Sequence, residues 1–239
     1  MMKYADAHSH ILSDAEITRA AACGVGHFIV NATRPADWGA VVETAARENI
    51  SGAIGVHPWY VSEVSDAWDS ELINTLVAHP DLMVGEIGLD KNHPNIELQE
   101  SLFRRQLQIA HDVHRAAHIH CVGAWGKMLD ILRGCELPPA IVLHAFSGSA
   151  ELVPELVKMG AYFSFGTAVA DERRTRLRSA VATAPVARIL VESDAPDAAM
   201  PDTIPATVAK IAQIRGVDTA QMADIIYNNT MGLLNGGKI

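Results

Sequence analysis

Apolar residues in this chain fall mostly into short unbroken runs, and stretches with helical spacing separate those runs. Gly26–Asn31, Ser51–Pro58, Leu82–Asp90, Ala140–His144, Ala161–Phe165 and Arg188–Asp194 have the near-continuous character of strands buried on both faces. Lys3–Leu12 and His118–Cys121 add two further strand-like segments. Between them the spacing predicts helices over Asp14–Cys23, Pro35–Glu48, Asp66–Ala78, Ile96–Ala116, Lys127–Leu132, Glu151–Met159 and Asp171–Ala182. Two more, Ile204–Arg215 and Thr219–Asn228, close the chain. Gly24 ends the first helix, and Pro35 sits in the first turn of the second, where a missing N–H costs nothing. In the longest helix Phe103, Leu107, Ala110 and Val113 form one apolar stripe.

Eight strands alternating with helices define an α/β chain with a parallel sheet, and eight is the number that closes a (β/α)₈ TIM-type barrel. The expected architecture is one barrel domain over residues 1–239 with an extra C-terminal helix. The alternative is a doubly wound open sheet, but the Gly-x-Gly-x-x-Gly fingerprint it often carries is missing after the first strand. No linker, repeat or low-complexity tract interrupts the pattern.

Composition narrows the setting. Of 239 residues, 49% are apolar and 20% charged, as in a globular protein with a sizeable core. There is no signal-like N-terminus and no apolar run of membrane-spanning length. Cys23, Cys121 and Cys135 are odd in number and scattered, which fits small core residues in a reducing cytoplasm better than disulfides. The net charge of −9 repels nucleic acid unless bound cations or a local patch reverse the field.

Position then singles out a few of the eleven histidines. His8 and His10 alternate along an extended segment, so both imidazoles share a face and can grip one ion. In a barrel the site is built from strand C-terminal ends. Those ends carry His8, His10, Glu86, His120, His144 and Asp194: four imidazoles and two carboxylates from the first, fourth, fifth, sixth and eighth strands. Such mixed ligation suits zinc, with manganese or magnesium as alternatives, and a set this large suggests two divalent ions. Glu86 is the natural bridge between them, at a separation of about 3.5–4 Å. His57, before Pro58, reads equally as a ligand or as a residue touching ligand or substrate. Glu192 shares the parity of Asp194 and either orients a ligand or forms a rim salt bridge. His27, His79, His93, His111, His114 and His118 read as surface or packed residues, His118 turned outward. Arg173, Arg174, Arg176 and Arg178 read as a solvated helix face, with a phosphate-binding edge as the alternative.

Five ordered blocks resemble one family: Ala5–His10, Gly55-Val56-His57-Pro58, Gly85–Asp90, His144–Gly148 and Glu192–Pro196. They are similar to the signature blocks of the TatD-related metal-dependent hydrolases, amidohydrolase-like barrels whose characterised members are mostly deoxyribonucleases. Gln99, Phe103, Gln106 and Ala110 match that family's long helix as well. The resemblance covers essentially the whole chain and implies the same six metal residues, with Glu86 and Asp194 as the catalytic carboxylates. His57 and Ser147 would contact substrate, and the protein would act as a monomer.

The chain departs from the family where phosphates would be held. Val122 stands where an arginine follows the fifth-strand histidine. Met200–Pro205 replaces an Arg/Asn-Glu-Pro loop, and the segment after Asp90 is short and lacks the usual aromatic and basic residues. The first expectation is a metal-activated hydrolysis of phosphodiesters, that is, a deoxyribonuclease. The second is hydrolysis of an amide, ester or lactone in a small molecule by the same chemistry. A barrel that keeps its metals without catalysis is the third.

Overall fold

In the computed structural model, which describes residues 2–236, eight strands follow one another around a single sheet in chain order. They are β1 (Tyr4–Ser9), β2 (Val25–Asn31), β3 (Ile50–Ile54), β4 (Met83–Asp90), β5 (Ala117–Val122), β6 (Ile141–Leu143), β7 (Ala161–Phe165) and β8 (Ile189–Val191). All seven adjacent pairs are parallel. The connecting helices are α1 (Asp14–Ala22), α2 (Pro35–Ala45), α3 (Trp68–Ala78), α4 (Ile96–Asp112), α5 (Trp125–Arg133), α6 (Val153–Lys158), α7 (Thr175–Thr183) and α8 (Ile204–Arg215). The extra C-terminal helix is α9 (Thr219–Leu234). This is the expected (β/α)₈ barrel.

The seam between β8 and β1 is closed just beyond the strands. Asp194 N–H donates to the His8 carbonyl at 2.9 Å and His10 N–H to that of Ala195 at 2.7 Å. Two apolar cores share the strands. Phe28 and Val30 face the helices, while Ile29 packs with Ala53, Met83, Val142, Tyr162 and Leu190 in a separate inner cluster that Leu233 of α9 joins. Among the described residues no helix is long and apolar enough to cross a membrane.

Several ends differ from the sequence expectation, each for a local reason. α4 stops at Asp112 because His114 takes φ +56°, and Arg115 N–H turns back to the Ala110 carbonyl. α7 starts at Thr175, since the Asp171 carboxylate accepts from the Arg173 backbone and guanidinium and holds that segment in a turn. α9 runs past Asn228 because Asn229 is buried and donates to the Val186 and Ile189 carbonyls, a tertiary contact rather than a stop. β3 ends at Ile54, and His57 instead caps the short Pro58–Tyr60 turn.

The cysteines do not all join the core. Cys121 is buried, but Cys23 is exposed, because it caps the end of α1 with its N–H on the Ala20 carbonyl. Burial pushes the Cys121 thiol up to about 12. A thiol reacts as its thiolate, so iodoacetamide at pH 8 is expected to label Cys23 at least roughly tenfold faster than Cys121. Equal rates in native protein, followed by mass spectrometry, would contradict the burial argument.

Candidate metal centre

The strand ends open onto a cavity of ≈ 580 Å³ lined by His10, His57, Glu86, His120, His144 and Asp194 among others. His8 lies behind its wall, fully buried. Glu86 is the centre. Its Oε2 faces His8 Nε2 at 3.3 Å and His10 Nε2 at 3.9 Å. Its Oε1 faces His120 Nδ1 and His144 Nε2, each at 3.0 Å, and His57 Nε2 at 3.4 Å. Asp194 Oδ1 lies 3.8 Å from both His8 Nε2 and His10 Nε2. Donor atoms within 4.8 Å of one another group as His8–His10–Asp194, His8–Glu86–His144 and His57–Glu86–His120.

Hydrogen bonds on the far ring nitrogens separate ligands from neighbours. His10 Nδ1 faces the Asn31 carbonyl at 2.9 Å, so it carries the proton and leaves a lone pair on Nε2, the arrangement of a metal-ligating histidine. His57 is the reverse. Its Nδ1 accepts from Trp59 N–H at 3.2 Å, which puts the proton on Nε2 toward Glu86. As a neutral ring His57 is therefore a donor to a carboxylate or a substrate oxygen.

The electrostatics fit a centre that gathers positive charge. Burial alone would raise the Glu86 carboxyl, but the imidazoles of His144, His57 and His8 hold it well below its ordinary range. Burial, with His144 beside it, keeps His8 neutral. Burial would also lower His144, yet Glu86 and Glu192 raise it well above the ordinary imidazole. Asp194 is raised by burial, with Glu192 and Glu86 adding to it. Glu86 and Asp194 thus bring carboxylates to the cavity, with Glu192 close to His144. Among the described residues, buried His8 Nε2 and His120 Nε2 also lack a hydrogen-bond partner. Such an atom costs about 1–3 kcal/mol unless something meets it. Divalent cations meet both demands, and the imidazole–carboxylate donor set suits zinc or manganese.

The support beneath these residues was mostly missed in the sequence. Asp6 is fully buried and accepts from Ser193 N–H at 2.9 Å and Ser193 Oγ–H at 2.5 Å, tying β1 to the segment that carries Asp194. Burial pushes its carboxyl up to about 7, against the pull of Ser193. Its place two residues before His8 was the available signal. Asp6→Ala would strand both donors, so in metal-free protein it is expected to lose about 2–4 kcal/mol, or roughly 4–16 °C in Tm. An unchanged Tm would mean that the seam holds without this latch.

Two glutamines of α4 steady the loops. Gln106 accepts from Val56 N–H at 2.7 Å and donates back to the Val56 carbonyl at 3.1 Å. Gln99 does the same for Asp90, at 2.8 and 3.1 Å. Asp90 in turn accepts from Trp59 Nε1–H at 2.8 Å, with its Oδ2 3.5 Å from His120 Nε2. Glu192 is buried beside His144 rather than exposed as a rim charge. Its Oε1 accepts from Ala145 N–H at 2.6 Å and lies 3.6 Å from His144 Nδ1.

His118 corrects an expectation. It is fully buried and points inward, its ring 6.0 Å from that of His8, because it shares the parity of His120 on β5. Burial lowers it to about 3, so it is a neutral filler. Gly85 makes room for it, since a Cβ there would stand 2.7 Å from His118 Cβ. Gly88, at φ +140°, would drive a Cβ to 2.0 Å from the His120 carbonyl.

The departures from the family also have places. β5 continues through Val122, which pairs with Asp90 and lines the cavity. Lys91, a basic residue the short post-Asp90 segment does contain, crosses Gly123 outside the cavity lining. Asp202, in the loop after the last ligand, is paired with Arg19 at 2.9 Å. Ser147 is exposed and faces an adjoining recess rather than the main cavity.

A parallel eight-stranded barrel with imidazoles and carboxylates gathered toward its strand ends is the framework of a metal-dependent hydrolase. The TatD related DNase family matches residues 5–235, and the chain belongs to it. It is 29% identical to the uncharacterized metal-dependent hydrolase YjjV of Escherichia coli K12, over 98% of each chain. It is 31% identical to the 3′-5′ ssDNA/RNA exonuclease TatD of Escherichia fergusonii, over 92% of each. The crystal structure of the YjjV protein from E. coli K12 matches with a TM-score of 0.91 and 28% identity, covering 97% of this chain and 98% of that one.

Proposed function

We propose that this protein is a cytoplasmic, monomeric phosphodiesterase that cleaves single-stranded nucleic acid with two zinc ions held by His8, His10, Glu86, His120, His144 and Asp194. The observation that carries the reading is the divided Glu86 carboxylate, one oxygen toward His8 and His10 and the other toward His120 and His144. A group with Asp194 on the Oε2 side and one on the Oε1 side would each hold an ion. When bound, such ions supply Lewis acidity toward water and toward a phosphoryl oxygen.

The protein's own groups do the rest. Asp194, with its raised carboxyl at the cavity wall, takes a proton from the attacking water and returns it to the leaving oxygen. Glu192 keeps His144 turned toward Glu86. His57 donates Nε2–H to the substrate. Trp59, 45% exposed and stacked on His93, offers a face for a base at the cavity mouth. The name borne by the E. fergusonii relative supports nucleic acid as the substrate class.

A second reading, hydrolysis of a small amide, ester or lactone, has one observation in its favour. Among the residues lining the main cavity there is no lysine or arginine. Single-stranded oligonucleotides assayed with Mg²⁺, Mn²⁺ and Zn²⁺ beside a panel of carbonyl substrates separate the two. Turnover of the oligonucleotide is expected. Turnover confined to carbonyl compounds would replace the first reading with the second.

Val122 tests the same point with one residue. An arginine there would offer a planar fork to a phosphate, worth roughly 1.5–3 kcal/mol. Val122→Arg is therefore expected to lower KM for an oligonucleotide by about one to two orders of magnitude. Equal KM values in a folded variant would withdraw the missing-clamp argument.

A further inference from the structure

Beside the metal cavity lies a second recess of ≈ 340 Å³ that shares Ala145 and Asp194 with it. Its volume is within the range of small-molecule sites, roughly 300–1,000 Å³. Partly exposed Ala168 and Leu177 give it an apolar wall, fully buried Phe146 and Phe165 belong to its lining, and Arg174 and Arg176 stand among its lining residues. These arginines differ from their neighbours. Arg173 is held by Asp171, and Arg178 donates to the Val169 carbonyl. Among the described residues, neither the Arg174 nor the Arg176 side chain has a hydrogen bond or an ion pair.

We propose that this recess is a nucleotide subsite, in which the apolar walls take a base and Arg174 and Arg176 take the phosphate next to the one being cleaved. This rests on the nuclease reading above. An apolar slot with two uncommitted cations at the same opening fits a group that is aromatic at one end and anionic at the other. The shared wall at Asp194 lets one strand lie across both cavities, with one phosphate at the metal centre and its neighbour at the arginines. Glu192 and Asp194 also line the recess, and the Glu151 and Asp171 carboxylates lie within electrostatic reach of Arg176 and Arg174. Among the described residues none of them forms an ion pair with either arginine, and Glu192 Oε1 is engaged by Ala145 N–H and faces His144. The phosphate clamp missing at Val122 is thereby supplied from the β7–α7 side of the barrel. Ser147 lines this recess too and becomes a contact to the same nucleotide.

The test uses the metal-loaded protein, an Arg174→Ala/Arg176→Ala double variant and a recess-filling Ala168→Trp. KM for a single-stranded oligonucleotide is expected to rise about 10- to 100-fold in the double variant. This rise should exceed any change on methyl p-nitrophenyl phosphate, a diester too small to span both cavities, by about tenfold. The slope of log Kd against log salt should flatten by about 0.7 for each phosphate no longer neutralised, a change that a merely structural role would not produce. Ala168→Trp should raise KM without altering that slope. Binding of deoxyadenosine 5′-monophosphate, followed by calorimetry, is expected to weaken in both variants.

The outcomes keep the two claims apart. Wild-type cleavage of the oligonucleotide with unchanged KM and slope in the double variant overturns the subsite and leaves the nuclease reading standing. Nucleotide binding that both variants weaken, without cleavage of any oligonucleotide, overturns the nuclease reading and leaves the subsite. Neither cleavage nor nucleotide binding overturns both.

Discussion

Glu86→Gln is expected to retain little divalent metal and to lose turnover by roughly a thousandfold or more. The glutamine is nearly isosteric, so the argument is one of charge and of the second oxygen. In the native side chain both oxygens face imidazoles, and one carboxylate serves both halves of the site. An amide keeps one acceptor and turns a pair of N–H donors toward the other set of rings. It also removes the charge that holds His144 above its ordinary range. Losing several kcal/mol of charge stabilisation, at about 1.4 kcal/mol per tenfold, gives the stated loss. Metal analysis by plasma mass spectrometry and a turnover assay check it together. Two bound ions with near-native turnover would remove Glu86 from its bridging role. Normal metal content with lost turnover would make it a residue of the reaction alone.

How legible this site was in the sequence depended on distance from the strand end. A ligand at the C-terminal end of a strand announces itself, because a polar residue there interrupts an apolar run. Glu86, His144 and Asp194 were picked out that way as candidate ligands, and His8 by its His-x-His spacing with His10. The structure brings their donor atoms close together, and the barrel followed from the same runs. One step deeper the signal fades. Asp6, His118 and Glu192 each sit two residues before a ligand and share its parity, but from the sequence a buried polar residue looks the same as an outward-facing one. Asp6 passed unnoticed and His118 was expected to face out, although both are fully buried. Deciding between the faces needs the partner, and the partners are remote: Ser193 for Asp6, and the space left by Gly85 for His118.

Long-range polar clamps were illegible for a similar reason. Gln99 and Gln106 lie on the buried stripe of α4, where their spacing could be seen, but their targets at Asp90 and Val56 belong to other elements. The arginines were expected on a solvated helix face or, alternatively, at a phosphate-binding edge. Arg174 and Arg176 are exposed, Arg176 in the first turn of α7, and both also line the recess beside the metal cavity.

Asp194→Asn separates metal holding from proton handling. Asp194 is the one carboxylate of the cluster that reaches the cavity with substantial exposure, at 22% for its side chain against 3% for Glu86. Burial and the nearby Glu192 and Glu86 raise its carboxyl, which lets it hold a proton between two steps of a reaction. Asparagine preserves an oxygen toward His8 and His10 but cannot take up or release that proton. Loss of a positioned acid–base group typically costs 10²–10⁴-fold, so kcat is expected to fall by about that factor while KM changes little. The fold should persist, because the seam bonds made at this segment come from the Asp194 backbone and from Ser193. Circular dichroism and metal content establish that the variant is intact, and the kinetics decide the role. Turnover within about tenfold of wild type, well short of the loss expected for a general base, would remove Asp194 from proton transfer. A variant that loses kcat and one equivalent of metal together would instead make it a ligand first.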